Sequence, residues 1–408
     1  MMEFEKLQEC RDIVYRCCRC GSCTKAPNDP LIDSSERTCP EWEMYRFLSH
    51  SGLGISAAAR AALEGRLEVS DELVKALYDC VLCGNCFTAC DELFRRFEPL
   101  LGRIGVGIDV PKVVRAMRAD IAKAGFELPE GYKKTASLVE KTHNRFGRKQ
   151  AERAAWIPEG LEIPRKGKLL YYAGCVASYR SREIAQSFAK ILNKAGIEFA
   201  ILGENEWCCG GPQLLNAGLL EPFQVNVEHN VKAIKDAGAV EVVTTCADCY
   251  RTLKFDYPEV VGELGFNVVH SSELIARLLK EGKIELKNKI NGSGKATYHD
   301  PCQLAKVGKV CEQPRKIIKG IPGIELVEMY QGSRQYTMCC GHYPVELPEL
   351  SMATALDRMR DAEAVEAKTI ITACSFCKWN LQRASRKIDP EIAVADIVEV
   401  VAQSMGIT

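Results

Sequence analysis

The sequence predicts an α+β multidomain chain: a helical N-terminal domain followed by duplicated α/β lobes rich in cysteine. Three observations carry this. Cys175, Cys208-Cys209 and Cys246-x2-Cys249 recur as Cys302, Cys339-Cys340 and Cys374-x2-Cys377; the first cysteines lie 127 residues apart and the final pairs 128 apart, which marks an internal duplication. Each copy alternates β-rich runs with helical ones, the pattern of parallel α/β layers. Upstream, apolar residues recur at helical spacing around two tight cysteine triplets. The expected boundaries are 1–130 for the helical domain, 131–167 for a linker, and 168–290 and 291–408 for the two lobes.

In the first domain, Cys17-x2-Cys20-x2-Cys23 is followed by Cys39-Pro40, and Cys80-x2-Cys83-x2-Cys86 by Cys90. Three evenly spaced thiolates can wrap one cube of iron and sulfide, with the fourth ligand supplied by the other motif. This predicts one cubane [4Fe-4S] cluster on Cys17, Cys20, Cys23 and Cys90, and another on Cys80, Cys83, Cys86 and Cys39. Two four-cysteine zinc sites are the plainer alternative. Cys18 is expected to be a spare, and Gly21 and Gly84 to relieve crowding at the turns. The turn-rich stretch between Cys23 and Cys39 predicts a surface loop. SDELVKALYDC predicts a helix capped by Ser70, with Leu73, Val74 and Leu77 on one face. PKVVRAMRADIAKAG predicts another, starting at Pro111, stopping at Gly125, and burying Val114, Met117 and Ile121. KTHNRFGRKQ and IPRKGK give the linker a basic face, expected to be solvated or to meet an acidic partner.

In each lobe, a strand candidate runs into the first cysteine (KLLYYAGC, KATYHDPC) and another into the C-x2-C pair (VEVVTTCADC, KTIITACSFC). The double cysteine is followed by glycine, as CCGG and CCGH, and each lobe closes on a helix, SSELIARLL or DIVEVVAQSM. Five thiolates exceed the four that a cubane or a zinc ion takes, and adjacent cysteines suit two neighbouring irons better than one. Structural zinc in one lobe is the lesser alternative. The lobes are expected to face each other across a pseudo-twofold axis, with the thiolates at the shared cleft.

Composition limits the function classes. The 408 residues carry 54 basic and 54 acidic side chains, which leaves no broad nucleic-acid footprint. MMEFEKLQEC holds no apolar signal segment, and no apolar run reaches the roughly 20 residues of a membrane span. Eighteen of the 21 cysteines therefore read as cytoplasmic metal ligands, and any membrane association would come through a partner. No glycine-rich dinucleotide or phosphate loop is present, so electrons must arrive from another protein, a flavoprotein or an iron–sulfur protein of the same complex.

The two pentads, Cys175…Cys208-Cys209…Cys246-x2-Cys249 and Cys302…Cys339-Cys340…Cys374-x2-Cys377, resemble the cysteine-rich CCG domains of the B and D subunits of heterodisulfide reductases. The full layout resembles the D subunit across nearly the whole chain. The resemblance implies two cubane and two non-cubane [4Fe-4S] clusters, an anaerobic setting, and electrons passed from the cubanes to the non-cubane clusters, where a disulfide is reduced. Similar subunits accompany flavin oxidases of glycolate or lactate, sulfate-respiration membrane complexes and the tungsten-containing benzoyl-CoA reductase complex. The alternative is therefore a non-catalytic electron-transfer subunit of such a complex. The long Cys23–Cys39 spacing resembles the benzoyl-CoA reductase relative, and Gly341-His342-Tyr343 departs from the family's glycine-rich continuation. His299 and His342 are the candidate proton donors; Arg180, Arg251 and Lys378 are candidates to attract an anionic substrate tail, and Cys311 is given no role.

Overall fold

Two parallel sheets organise the chain beyond the helical domain. The computed structural model describes residues 2–24, 38–101, 107–330, 332–341 and 348–407. The first sheet holds β1 (Leu169–Tyr172), β2 (Glu241–Thr244) and β3 (Asn267–His270) in that order. The second holds β4 (Gly294–His299), β5 (Ile324–Val327), β6 (Thr369–Thr372) and β7 (Ala393–Asp396), in the order β5-β4-β6-β7. A single parallel bridge, Leu170 to Ala200, stands where β5 would lie in the first lobe, so both lobes share one strand order. Central strands are apolar because helices cover both their faces; Leu170, Tyr171, Val242, Val243, Ile370 and Ile371 are all buried.

The last strand of each lobe ends in a residue that caps the next helix. His270 with Glu273 starts Ser271–Lys280, and Asp396 with Glu399 starts Ile397–Met405, each as a capping box. The lobes then trade partners symmetrically. Arg182–Lys194, the helix after the first cysteine of lobe one, packs on Ile397–Met405, the last helix of lobe two. Glu312–Lys319, in the corresponding place of lobe two, packs on Ser271–Lys280 of lobe one. This reciprocal exchange produces the expected pseudo-twofold arrangement and one continuous core through both lobes.

The N-terminal domain has its own helical core. Ser70 caps Asp71–Asp79 by accepting from the Leu73 amide, and Asp109 caps Val110–Lys123 by accepting from the Lys112 amide. Val114, Met117 and Ile121 are buried as the helical spacing requires. Gly21 and Gly84 have φ of +82° and +78°, yet a Cβ on Gly21 would meet nothing within 4 Å. Glycine is required there by the left-handed backbone rather than by crowding. The domain is anchored on lobe one by Arg118, which is fully buried and donates to the carbonyls of Leu77, Cys80 and Asn216.

Within 131–167, expected to be a linker, Glu130–Thr142 is helical, and Arg153 and Trp156 are 1% and 2% exposed. Arg153 pairs with buried Glu206 at 2.6 Å, and Glu206 also accepts from the amides of Ala173 and Gly174. Arg153 thus packs onto lobe one, while Lys141, Arg148, Lys149, Arg165, Lys166 and Lys168 of the basic stretches are exposed. Residues 25–37 of the Cys23–Cys39 insertion, along with His342 and Tyr343, lie outside the described residues.

Lobe two holds its first cysteine turn with a buried pair from a different part of the chain. Arg315 grips Asp300 through two bonds of 2.7 Å and also reaches Glu328. Removing one partner of such a pair leaves a charge stranded away from water. Arg315→Met is expected to destabilise the protein by about 3–5 kcal/mol. Urea unfolding of the anaerobically purified chain, read as a lower midpoint at an unchanged slope, checks this.

Candidate metal centre

None of the 21 cysteines is held in a disulfide. Two small cavities in the N-terminal domain gather the triplets. One is lined by Cys17, Cys20, Cys23 and Cys90, together with Cys18 and Cys86. The other is lined by Cys39, Cys80, Cys83 and Cys86, with Glu41 and His50 beside them. Each expected quartet thus shares a cavity, and each cavity takes its fourth cysteine from the other motif. Gly52 lies between the cavities: a Cβ there would stand 2.8 Å from Cys86 Cβ and 3.1 Å from Cys23 Cβ. Burial pushes the free thiols of Cys23 and Cys83 up to about 12.

In the lobes, both strand ends that carry cysteine sit at the point where strand order reverses. Cys175 follows β1 and Cys246 immediately precedes the helix after β2; Cys302 follows β4 and Cys374 immediately precedes the helix after β6. Loops at such a reversal diverge and leave a crevice. The double cysteine completes each group. Cys175 lies beside Cys208 and Cys209 beside Cys249; Cys302 likewise lies beside Cys339, and Cys377 beside Cys340. The following glycine turns the chain back, with φ of +80° at Gly210 and +77° at Gly341. A Cβ on Gly341 would stand 2.3 Å from the Ser351 carbonyl oxygen, so no larger residue fits. Asn226 and Asn380 pin the carbonyls of Cys208 and Cys340 at 2.9 and 2.8 Å.

The two groups meet. Among the described residues, two sets of ligating atoms lie within 4.8 Å of one another: His299, Cys340 and Cys377 in lobe two, and Cys246, Asp248 and Cys374 across the lobe boundary. A crevice at this boundary is lined by Cys302, Cys339, Cys340, Cys374 and Cys377, and by Asp248 from the other lobe. Burial raises the Asp248 carboxyl to about 8, with Cys374 adding to the rise. Burial also pushes the Cys374 thiol up to about 12. So many buried thiols with one imidazole form a soft donor set suited to iron or zinc, and a metal would offset the cost of deprotonating them.

The other sequence candidates divide. His299 is fully buried in lobe two, and neither ring nitrogen has a hydrogen-bond partner. Burial, with Arg358 adding, holds its imidazole down at about 3, so the ring is neutral near pH 7. Delivering a proton as a cation would require a charge that this site opposes. Lys378 does not face a crevice: it is buried and joins Glu183 of lobe one to Glu399 of lobe two at 2.7 and 2.8 Å. Arg251 pairs with Asp256 at 3.1 Å, and Arg180 stacks over Trp379. Cys311 lies apart from both pentads, donating to the Ala305 carbonyl.

Several residues escaped the sequence reading. Arg153 donates towards Cys175 Sγ at 3.5 Å from outside the repeat, and nothing in its local pattern marks it. Asp248 lies inside a C-x2-C pair, a position that could have flagged it. Lys306 lies four residues beyond Cys302, where the first copy has Tyr179 beyond Cys175.

Known proteins share this geometry's sequence signature. Residues 169–254 and 296–382 match the cysteine-rich CCG domain. The chain is 34% identical over 406 residues to the D subunit of the dihydromethanophenazine:CoB–CoM heterodisulfide reductase of Methanosarcina barkeri, covering 96% of this chain and 94% of that one. Its counterpart in Methanosarcina acetivorans is 32% identical over 404 residues with the same coverage. The B subunit of the fumarate reductase (CoM/CoB) of Methanothermobacter marburgensis is 26% identical over 389 residues, covering 94% of this chain and 71% of that one. With its duplicated cysteine lobes and matched end to end at this identity, the chain belongs to the family of heterodisulfide reductase D subunits.

Proposed function

We propose that this chain is an iron–sulfur redox subunit that passes electrons from two cubane [4Fe-4S] clusters to two non-cubane [4Fe-4S] clusters and on to a disulfide at the lobe boundary. When bound, the clusters supply one-electron storage and iron that can take up the thiolates of a cleaved disulfide. Cys17, Cys20, Cys23 and Cys90 would hold one cubane; Cys39, Cys80, Cys83 and Cys86 the other. Cys175, Cys208, Cys209, Cys246 and Cys249 would hold one non-cubane cluster, and Cys302, Cys339, Cys340, Cys374 and Cys377 its counterpart.

One observation carries the reading: the two five-thiol groups share a boundary, where Cys246, Asp248 and Cys374 lie within 4.8 Å. Reduction of a disulfide takes two electrons, and two one-electron groups on either side of one substrate supply them together. His299 has both ring nitrogens unpartnered and lies near Cys340 and Cys377, which supports a role in donating an N–H to sulfur of the group these cysteines would hold. His342 keeps its candidacy as proton donor from the sequence alone. The expected donor is a flavoprotein or another iron–sulfur protein of the complex. Among the described residues no helix is long and apolar enough to cross a membrane, so contact with one would run through that partner.

A second reading has support of its own. Nine of the ten lobe cysteines are buried, Cys302 alone being partly exposed. A boundary this closed suits a protein that relays electrons without a substrate of its own.

Anaerobic iron analysis is expected to give about 16 irons per chain and no zinc, four for each of four clusters. Two zincs beside two cubanes would overturn the proposal. Gly52→Val is expected to remove roughly half of that iron, because its side chain would enter the space of Cys23 and Cys86 while leaving the lobes untouched. EPR of the variant should then keep only the lobe signals. Reduced protein given the CoB–CoM heterodisulfide, with and without co-purifying proteins, is expected to release thiol. Reoxidation only by a partner protein would decide for the relay.

A further inference from the structure

Lys306 is buried, 7% exposed, at the contact between the N-terminal domain and lobe two. Its ammonium donates to the carbonyls of Cys83 at 3.1 Å and Thr337 at 2.7 Å, and to Asn85 Oδ1. All three acceptors are neutral. No carboxylate among the described residues forms an ion pair with it, whereas buried Arg153, Arg315 and Lys378 all have one. A buried cation without a counter-charge is costly, so an anion is expected close by. The carbonyl it holds at 3.1 Å belongs to Cys83, and Cys302 stands at the start of its own helical turn, so both cysteines flank it in the fold.

The surroundings point the same way. Gln303, on the same helical turn, donates to the Leu82 carbonyl; Asn85 donates to Met338 Sδ, and Tyr336 bonds Glu92. The loop carrying Cys83 is thus fastened to lobe two beside Cys302 and beside Cys339. The Lys306 stem passes Gly84 in ordinary van der Waals contact, its Cδ 3.5 Å from the Gly84 Cβ position. The duplication is broken at this position. Tyr179 replaces the lysine in lobe one, and its hydroxyl bonds Lys149 and Gln150 instead of the N-terminal domain.

We propose that Lys306 is a positioning residue and a shared counter-charge: it locks the Cys83 loop onto lobe two and raises the reduction potential of the redox groups held on either side of it. This rests on the functional reading above. A fixed positive charge stabilises whichever neighbour gains an electron, because the reduced form is the more negative one. Lobe two is then the lobe through which electrons enter the duplicated region, and one-electron transfer across this contact oxidises the Cys83 side and reduces the Cys302 side with no proton required.

The test is an EPR-monitored redox titration of the full chain, with signals assigned by their loss in Cys83→Ser and Cys340→Ser. In Lys306→Met, the Cys83 and Cys340 signals are expected to shift to more negative midpoints, while the signals of the Cys17 set and of lobe one stay in place. Lys306→Arg is expected to restore both midpoints. Should the Met variant lose iron, Lys306→Gln keeps a donor without the charge and reads the same shift. Unchanged midpoints at full iron content, or an equal shift of all four, would overturn the assignment and leave the functional reading standing. Absence of iron–sulfur signals from the unmodified chain would overturn both.

Discussion

A thiolate is costly to bury, and a second thiolate beside it costs more, through desolvation and through like-charge repulsion. This chain nevertheless gathers five cysteines in each lobe, nine of the ten buried, and lines two further cavities with six and four. Much of the architecture exists to hold that arrangement. Parallel strands end where their order reverses, which opens the crevice; helices start at Cys246 and Cys374, which turns backbone amides towards the sulfur; and a left-handed glycine after each double cysteine returns the chain before the next wall. Metal binding inverts the penalty, since a cation gains most where thiolates are densest.

The duplication keeps the sulfurs and changes what surrounds them. Tyr172 in lobe one, bonded to the Trp207 carbonyl, stands where lobe two has the unpartnered His299. Tyr179 stands where lobe two has Lys306. Even the carboxylate that steadies the first cysteine turn is recruited differently: Glu206 is held by Arg153 from before the repeat, and Asp300 by Arg315 from within it. Two lobes of one fold therefore offer unlike electrostatic settings. That is a requirement for any protein in which charge is to travel in one direction between equivalent ligands.

The domains are coupled by a few polar anchors placed at the cysteine loops themselves. Arg118 joins the Cys80 carbonyl to Asn216 of lobe one, and Lys306 joins the Cys83 carbonyl to Thr337 of lobe two. One cysteine loop of the N-terminal domain is therefore fixed against both lobes. Lys378 and its two carboxylates hold the lobes to each other behind the boundary. Charged side chains that look like substrate hooks in sequence act here as internal ties, because folding places their partners on other elements.

The cysteine spacings, the strand-to-cysteine transitions, the helix capped by Ser70, the helix starting near Pro111 and the duplication were all legible, because each is set by local spacing and short-range backbone preference. Register and repeat length alone bring Cys302 to the end of β4 and Cys374 to the end of β6. Tertiary structure decided what local pattern cannot encode: the reciprocal helix exchange between lobes, the meeting of Cys246, Asp248 and Cys374, the burial of Arg153 from a stretch that looked like a linker, and the isolation of Lys306 among neutral acceptors. These depend on groups far apart in the chain, whose charges and burial acquire meaning only once packing has removed the water between them.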